Sequence, residues 1–274
     1  MDIEQLRFSY ESHLFRVVTA QLGSVFSRSS VEAQNLLNNR KRELLGDAVR
    51  VTDDLLPEIH RIYQSSLDML GGSLSGDLFV RHSEEYNAGV FAYEKRFDLL
   101  IHSALLNDFT HDELKFGLGH ELGHVVFDHS RFSVNEILST VQGISPDTAD
   151  ILFRWSRSAE ISADRVGLLC CGQLTAAVTA LFKTSSGLSN IDEDRILRSF
   201  RKQYDDLEIQ LKEKNTNPFS WIRTHPMIPI RFKALELAAL DIIAFSRGFG
   251  VRGFQAIDQQ IAKILEEIDI YIIR

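Results

Sequence analysis

The sequence predicts a mainly helical α+β domain, with a small sheet of at least three strands lying beside one central helix. Three observations lead there. Apolar residues recur at helical spacing through the first seventy residues and again towards the end of the chain. Between them, Gly71, Gly72, Ser73 and Gly76 break the periodicity, and three short strand-like runs follow: Leu78–His82, Gly89–Tyr93 and Phe97–His102. Directly after those runs, residues 120–124 read His-Glu-Leu-Gly-His inside a segment of helical periodicity.

Bulk properties narrow the class. The 274 residues are 44% hydrophobic and 25% charged, ordinary values for one large domain or one domain with appendages. The net charge of −8 gives no indication of a nucleic-acid partner. Cys170 and Cys171 are adjacent, so no disulfide framework is expected. The opening MDIEQLRFSYESHLF lacks the pattern of a secretory signal. The most apolar stretch, Val166–Phe182, contains Gly172, Gln173 and two threonines. It reads as a buried helix, with no integral membrane segment expected. These features together predict a cytoplasmic protein.

The elements follow in order. Leu6, Tyr10, Leu14, Val17, Val18 and Leu22 mark one amphipathic helix, expected to pack on the domain rather than lie on a membrane. A second helix runs near Val31–Leu45, and a third over roughly Asp47–Leu70 with a kink at Pro57. The joint at Glu94-Lys95-Arg96 is short enough for a hairpin between the second and third strands. Thr110 and Glu113 form a capping box that opens the central helix. Residues 131–150 are less regular, with a break at Pro146, and the next helix carries Glu160 and Asp164 on towards Phe182. A loop at Ser185–Asp192 and a charged helix over Asp194–Glu213 follow. A loop through Asn215–Pro218, a helix near Ile230–Ser246, a glycine-rich turn at 248–253 and a helix from Phe254 close the chain. The expected organisation is an N-terminal helical segment (1–70), a catalytic core (71–240) and a C-terminal helical segment (241–274), together one continuous domain.

The chemistry centres on His120-Glu121-Leu122-Gly123-His124. On a helix the two histidines lie one turn apart on one face and can reach one metal ion, with Glu121 about 100° away beside them. Three letters alone turn up by chance in on the order of one chain in a hundred, so the context has to carry the reading. Leu114, Leu118, Leu122, Val125 and Val126 form an apolar stripe, and the histidines fall on the opposite side of the helical wheel, towards a cleft. A catalytic zinc needs a third protein ligand and an open position for water. An extended HExxHxxGxxH motif fails, because Phe127 and Ser130 stand where Gly and His are required. His129 would lie about 140° round from His124, on the leucine side, and is disfavoured as a ligand. Glu160 and Asp164 share a helical face downstream. One carboxylate can bind the metal while the other orients a ligand histidine.

Four blocks resemble metallopeptidase family M48, the gluzincins that include the HtpX-type and CAAX prenyl endopeptidases. They are Tyr86-Asn87-Ala88-Gly89, HELGHVVFDH from His120, SRSAEISADRVG from Ser156, and Thr224-His225-Pro226 with Arg231. The blocks keep the family's order from about residue 45 to residue 240. The resemblance implies a zincin-like catalytic domain with one Zn²⁺ per chain at His120, His124 and Glu160, and Glu121 as general base. It implies Asp164 as the carboxylate behind a ligand histidine, Asn87 and His225 near the scissile carbonyl, and Arg157 and Arg231 as supporting groups. It implies hydrolysis of protein or peptide substrates by a zinc metalloendopeptidase. The alternatives are a non-catalytic zinc-stabilised peptide-binding protein and a zinc hydrolase of a non-peptide amide. Flanking membrane helices are missing from the pattern, so cleavage of prenylated peptides in a membrane chamber is not expected.

Overall fold

Two helices pack backbone to backbone at the centre of the protein: α5 (His111–Val126) and α7 (Pro146–Cys171). In this computed structural model the described residues are 2–23, 30–71, 73–93, 95–212, 224–249 and 253–270. The close packing has a local cause. Gly119 and Gly123 sit one turn apart on α5 and face α7. A Cβ on Gly119 would lie 2.7 Å from the Cys170 Cβ, and one on Gly123 would lie 2.9 Å from the Ala163 Cα. From the other side, a Cβ on Gly167 would meet the Phe116 carbonyl oxygen at 2.7 Å.

The start of α5 is held by the expected capping box. The Thr110 hydroxyl accepts from the Glu113 N–H, and Glu113 accepts from the Thr110 N–H. Lys183 on α8 (Leu174–Ser186) donates to both Glu113 and the Asp108 carbonyl, tying a third helix to that end. The stripe Leu114, Leu118, Leu122 and Val125 is buried in the main core.

The sheet beside α5 has four strands: β1 (Val49–Arg50), β2 (Ser75–Arg81), β3 (Ala88–Tyr93) and β4 (Arg96–His102), in the order β1-β2-β4-β3. β2 and β4 run parallel with Leu78 opposite Leu99, while β1 and β3 are antiparallel to their neighbours. The pairing of Tyr93 with Arg96 agrees with the expected hairpin. Phe97, Leu99 and Ile101 of β4 point into the main core, and Leu100 points the other way, onto Leu44 of α2 (Ser30–Asp47). Burial on both faces explains why β4 reads as a nearly continuous apolar run. Its buried charge, Asp98, is matched by Lys41 of α2 at 2.7 Å.

Several expectations shift. The first helix begins later: Ile3–Leu6 is a separate 3₁₀ turn, and α1 spans Ser9–Leu22 after an extended Phe8. The expected third helix is instead the short strand β1 followed by α3 (Pro57–Met69). Pro57 and Pro146 do not kink or break helices but open them, since the missing N–H costs nothing in a first turn. The helix expected to run on to Phe182 is two helices, because Gly172 adopts φ 66° and caps α7. Between α5 and α7 lies α6 (Val134–Thr140). α9 (Glu193–Lys212), α10 (Ile228–Ser246) and α11 (Gln255–Ile270) stand close to where the sequence placed them. Gly72, Glu94, the loop through 215–218 and residues 250–252 of the glycine-rich turn lie outside the described residues. Among the described residues no helix is long and apolar enough to cross a membrane.

The glycine seam makes a paired prediction. Gly123→Ala forces a Cβ onto the α7 backbone and should cost about 1–3 kcal/mol through overpacking. Gly117→Ala, on the same helix but with nothing within 4 Å of its Cβ position, should stabilise by about 0.5–1 kcal/mol. Urea unfolding of the metal-free protein measures both. Equal effects at the two positions would contradict the seam.

Candidate metal centre

The seam decides which side chains meet. α5 presents His120 and His124 one turn apart, and α7 presents Glu160 and Asp164 one turn apart. The close approach brings His120, His124 and Glu160 together with donor atoms all within 4.8 Å of one another. The two Nε2 atoms are 3.3 Å apart. Glu160 Oε2 lies 3.6 Å from His120 Nε2, and Oε1 lies 3.5 Å from His124 Nε2. Glu160 Oε2 is buried and has no hydrogen-bond partner, an arrangement that calls for positive charge. Arg231 Nη1 at 3.4 Å supplies part of it. Two imidazole nitrogens and a carboxylate oxygen around such an orphaned atom fit a divalent cation of borderline softness, as in three-ligand zinc sites.

Behind the cluster, Asp164 accepts from His120 Nδ1 at 2.9 Å, which leaves Nε2 free to donate its lone pair. Arg231 of α10 grips Asp164 through Nε at 2.8 Å and Nη2 at 2.5 Å. Burial pushes the Asp164 carboxyl upward, but the Arg231 guanidinium and the His120 hydrogen bond outweigh it and hold the group below the usual carboxylate range. His124 is held well below the ordinary imidazole range by burial and by the neighbouring His120, His129 and Arg231, so its ring is neutral, as a ligand must be. Glu121, half-buried beside them, is shifted upward by burial and by Glu160, against the pull of His120 and Arg231.

A cleft of about 240 Å³ opens beside His124 and Glu160, walled by Phe132, Val134, Trp155 and Thr224. His225 stands at its rim, exposed, with Nε2 3.7 Å from Glu160 Oε1 and Nδ1 2.9 Å from Thr224 Oγ1. Ser156 of α7 donates to the Thr224 carbonyl and anchors that segment. Asn87 is exposed just before β3, where its carbonyl accepts from the His102 N–H. No hydrogen bond joins its amide to the cluster among the described residues. Arg157 is buried on α7, three residues before Glu160.

His129 does not take up the position on the leucine side that a continued helix would give it. α5 stops at Val126, Asp128 turns left-handed at φ 56°, and a short 3₁₀ turn swings His129 back until its Nδ1 is 2.9 Å from His124 Nδ1. Behind His129 lies Glu11 of α1, fully buried, with Oε1 3.6 Å from His129 Nε2. Arg7 donates to Glu11 at 2.6 and 3.0 Å, Trp155 Nε1 at 3.0 Å and Ser162 Oγ at 3.4 Å. Burial opposes ionisation here, yet His129 and Arg7 carry the Glu11 carboxyl down to about 2. Glu11 belongs to no motif in the sequence. The available signal was a glutamate at the head of the buried series Leu14, Val18 and Leu22.

A histidine pair on one helix, a glutamate from a second and a small sheet alongside define a metallopeptidase. The chain belongs to Peptidase family M48, whose sequence model matches residues 56–239. It is similar to the plastoglobule-localized metallopeptidase 48, chloroplastic, of Arabidopsis thaliana, at 26% identity over 259 residues, covering 86% of this chain and 72% of that protein.

The Glu11 network predicts an acid-sensitive stability. The group ionises near 4.5 when unfolded and near 2 when folded, so its contribution is fully present above about pH 4.5 and is lost as pH falls towards 2. Unfolding free energies from urea titrations should separate wild type from Glu11→Gln by on the order of 3 kcal/mol at pH 6, and the gap should narrow at pH 3. A gap as wide at pH 3 as at pH 6 would contradict the depressed carboxyl.

Proposed function

We propose that this metallopeptidase is a zinc-dependent endopeptidase of the gluzincin type, with one Zn²⁺ per chain held by His120, His124 and Glu160 and with Glu121 as general base. The observation that carries the reading is the convergence of the HExxH pair with Glu160 around a buried oxygen that lacks a hydrogen-bond partner. Bound zinc would polarise the scissile carbonyl and acidify a water molecule. Glu121, adjacent to His120 on α5, would take the proton from that water and deliver it to the leaving amine. Asp164 and Arg231 keep His120 in the tautomer that presents Nε2, and Arg157 supports the same helix. His225, at the cleft rim 3.7 Å from Glu160, and Asn87 are assigned to the developing oxyanion and the substrate backbone.

The substrate is a protein or peptide. β3 is the outermost strand, and the Asn87–His102 pair turns the backbone groups of Ala88, Val90 and Ala92 away from β4. That free edge lies along α5 and offers an extended peptide a strand to join. A purely structural zinc site would call for a fourth protein ligand, and the cluster among the described residues offers three. Packing of α1 on α7, and of α11 on α1 and α10, supports one continuous domain. A cytoplasmic location remains the reading from the sequence, whereas the Arabidopsis relative is named for plastoglobules; cell fractionation tests it.

Peptides released from a lysate and identified by mass spectrometry test the function. Glu121→Gln should keep fold and zinc and lose about 10²–10⁴-fold in turnover. His225→Ala and Asn87→Ala should each lose about 10²–10³-fold in kcat with zinc content unchanged. Near-wild-type turnover in Glu121→Gln rules out the base, and loss of metal in either of the other two withdraws its catalytic role.

A further inference from the structure

The two ligand histidines are supported differently. His120 is backed directly by a carboxylate, Asp164. His124 is backed by a second imidazole, and the protons along that chain have one self-consistent placement. For His124 Nε2 to offer its lone pair to a metal ion held together with Glu160, its Nδ1 must carry the proton. That nitrogen lies 2.9 Å from His129 Nδ1, which must therefore accept, so the His129 proton sits on Nε2. His129 Nε2 is buried, has no hydrogen-bond partner and faces Glu11 Oε1 at 3.6 Å, an electrostatic contact longer than a hydrogen bond. Arg7, Trp155 and Ser162 hold Glu11 in place from its other sides.

We propose that Glu11, on the first helix of the chain, is a positioning residue of the metal site: acting through His129, it fixes the tautomer and ring plane of His124. The proposal rests on the reading of His124 as a metal ligand. It makes the N-terminal helix, which lies ahead of the segment matched by the family model, a working part of the centre. The reasons for the arrangement are geometric. Asp164 is committed to His120 and Arg231, and α5 ends two residues after His124, so no carboxylate on α5 or α7 backs the His124 ring. The left-handed turn at Asp128 brings in an imidazole as a spacer, and α1, packed on α7, supplies the charge behind it.

The test uses the full chain and Zn²⁺ alone, titrated against a chelating chromophore, with thermal melts of each metal-free variant. Glu11→Gln and His129→Phe should each weaken zinc binding about 10–100-fold, the usual cost of losing support behind a ligand histidine. The double variant should be no weaker than His129→Phe by more than about twofold, because both changes cut one chain. A merely structural Glu11 would lower the melting temperature and leave zinc affinity at the wild-type value, and that result overturns the proposal. Effects that multiply in the double variant overturn it too. Should Glu11→Gln fail to fold, His129→Phe decides the matter, since it leaves the Arg7, Trp155 and Ser162 contacts of Glu11 intact; wild-type affinity in that variant overturns the proposal. His124→Ala separates the two readings. Loss of zinc there, with affinity unchanged in Glu11→Gln and His129→Phe, sinks this inference alone, whereas zinc retained in His124→Ala sinks the ligand assignment and the inference with it.

Discussion

The contact between α5 and α7 is the constraint on which the rest of the structure depends. Along Gly119, Gly123 and Gly167 the two backbones approach so closely that no side chain fits between them. The candidate ligands come one turn apart from each helix, so their convergence follows from the distance and rotation of this one pair. The leucine stripe of α5 then faces away from the histidines, onto the sheet and the main core. The same helix therefore anchors the fold with one face and builds the site with another. Small residues at this seam trade helix propensity for proximity.

A second layer of order comes from buried charges, each tied to another element. Arg231 brings α10 onto Asp164, and Lys183 brings α8 onto Glu113. Arg165 of α7 holds Asp258 of α11, whose other oxygen accepts from the Ser9 N–H of α1. Arg7 and Glu11 close the circuit back to His129. Such pairs return little net stability after desolvation, but losing one partner strands a buried charge. They act on register: each couples the placement of a peripheral helix to the placement of α7, and so to the cluster.

What was legible in the sequence was local. The HExxH helix, its capping box, the three strand runs and α10 announce themselves by period and by end signals within a few residues of each other. The misreadings also have local causes. Pro57 and Pro146 look like interruptions in the sequence, although a proline costs nothing at the first position of a helix, and the segments after them are periodic. Gly172 lies within an apolar run and gives no sign by composition that it adopts a left-handed conformation. β1 is two residues long and owes its existence to β2. The candidate cluster was legible where its residues sit at helical spacing, at His120, His124, Glu160 and Asp164. It was illegible where it depends on a turn or on tertiary contact. A straight helix puts His129 among the leucines; the left-handed Asp128 puts it against His124. Glu11 lies 118 residues from His129, and only the packing of α1 on α7 brings them together.

The most direct test of the account is a crystal structure of the zinc-loaded protein with anomalous differences collected on either side of the zinc absorption edge. The account predicts a single peak per chain, bonded at about 2.0–2.2 Å to His120 Nε2, His124 Nε2 and a Glu160 oxygen, with one position open to solvent. A peak bonded to His129, or one that leaves Glu160 out of the ligand set, would contradict it.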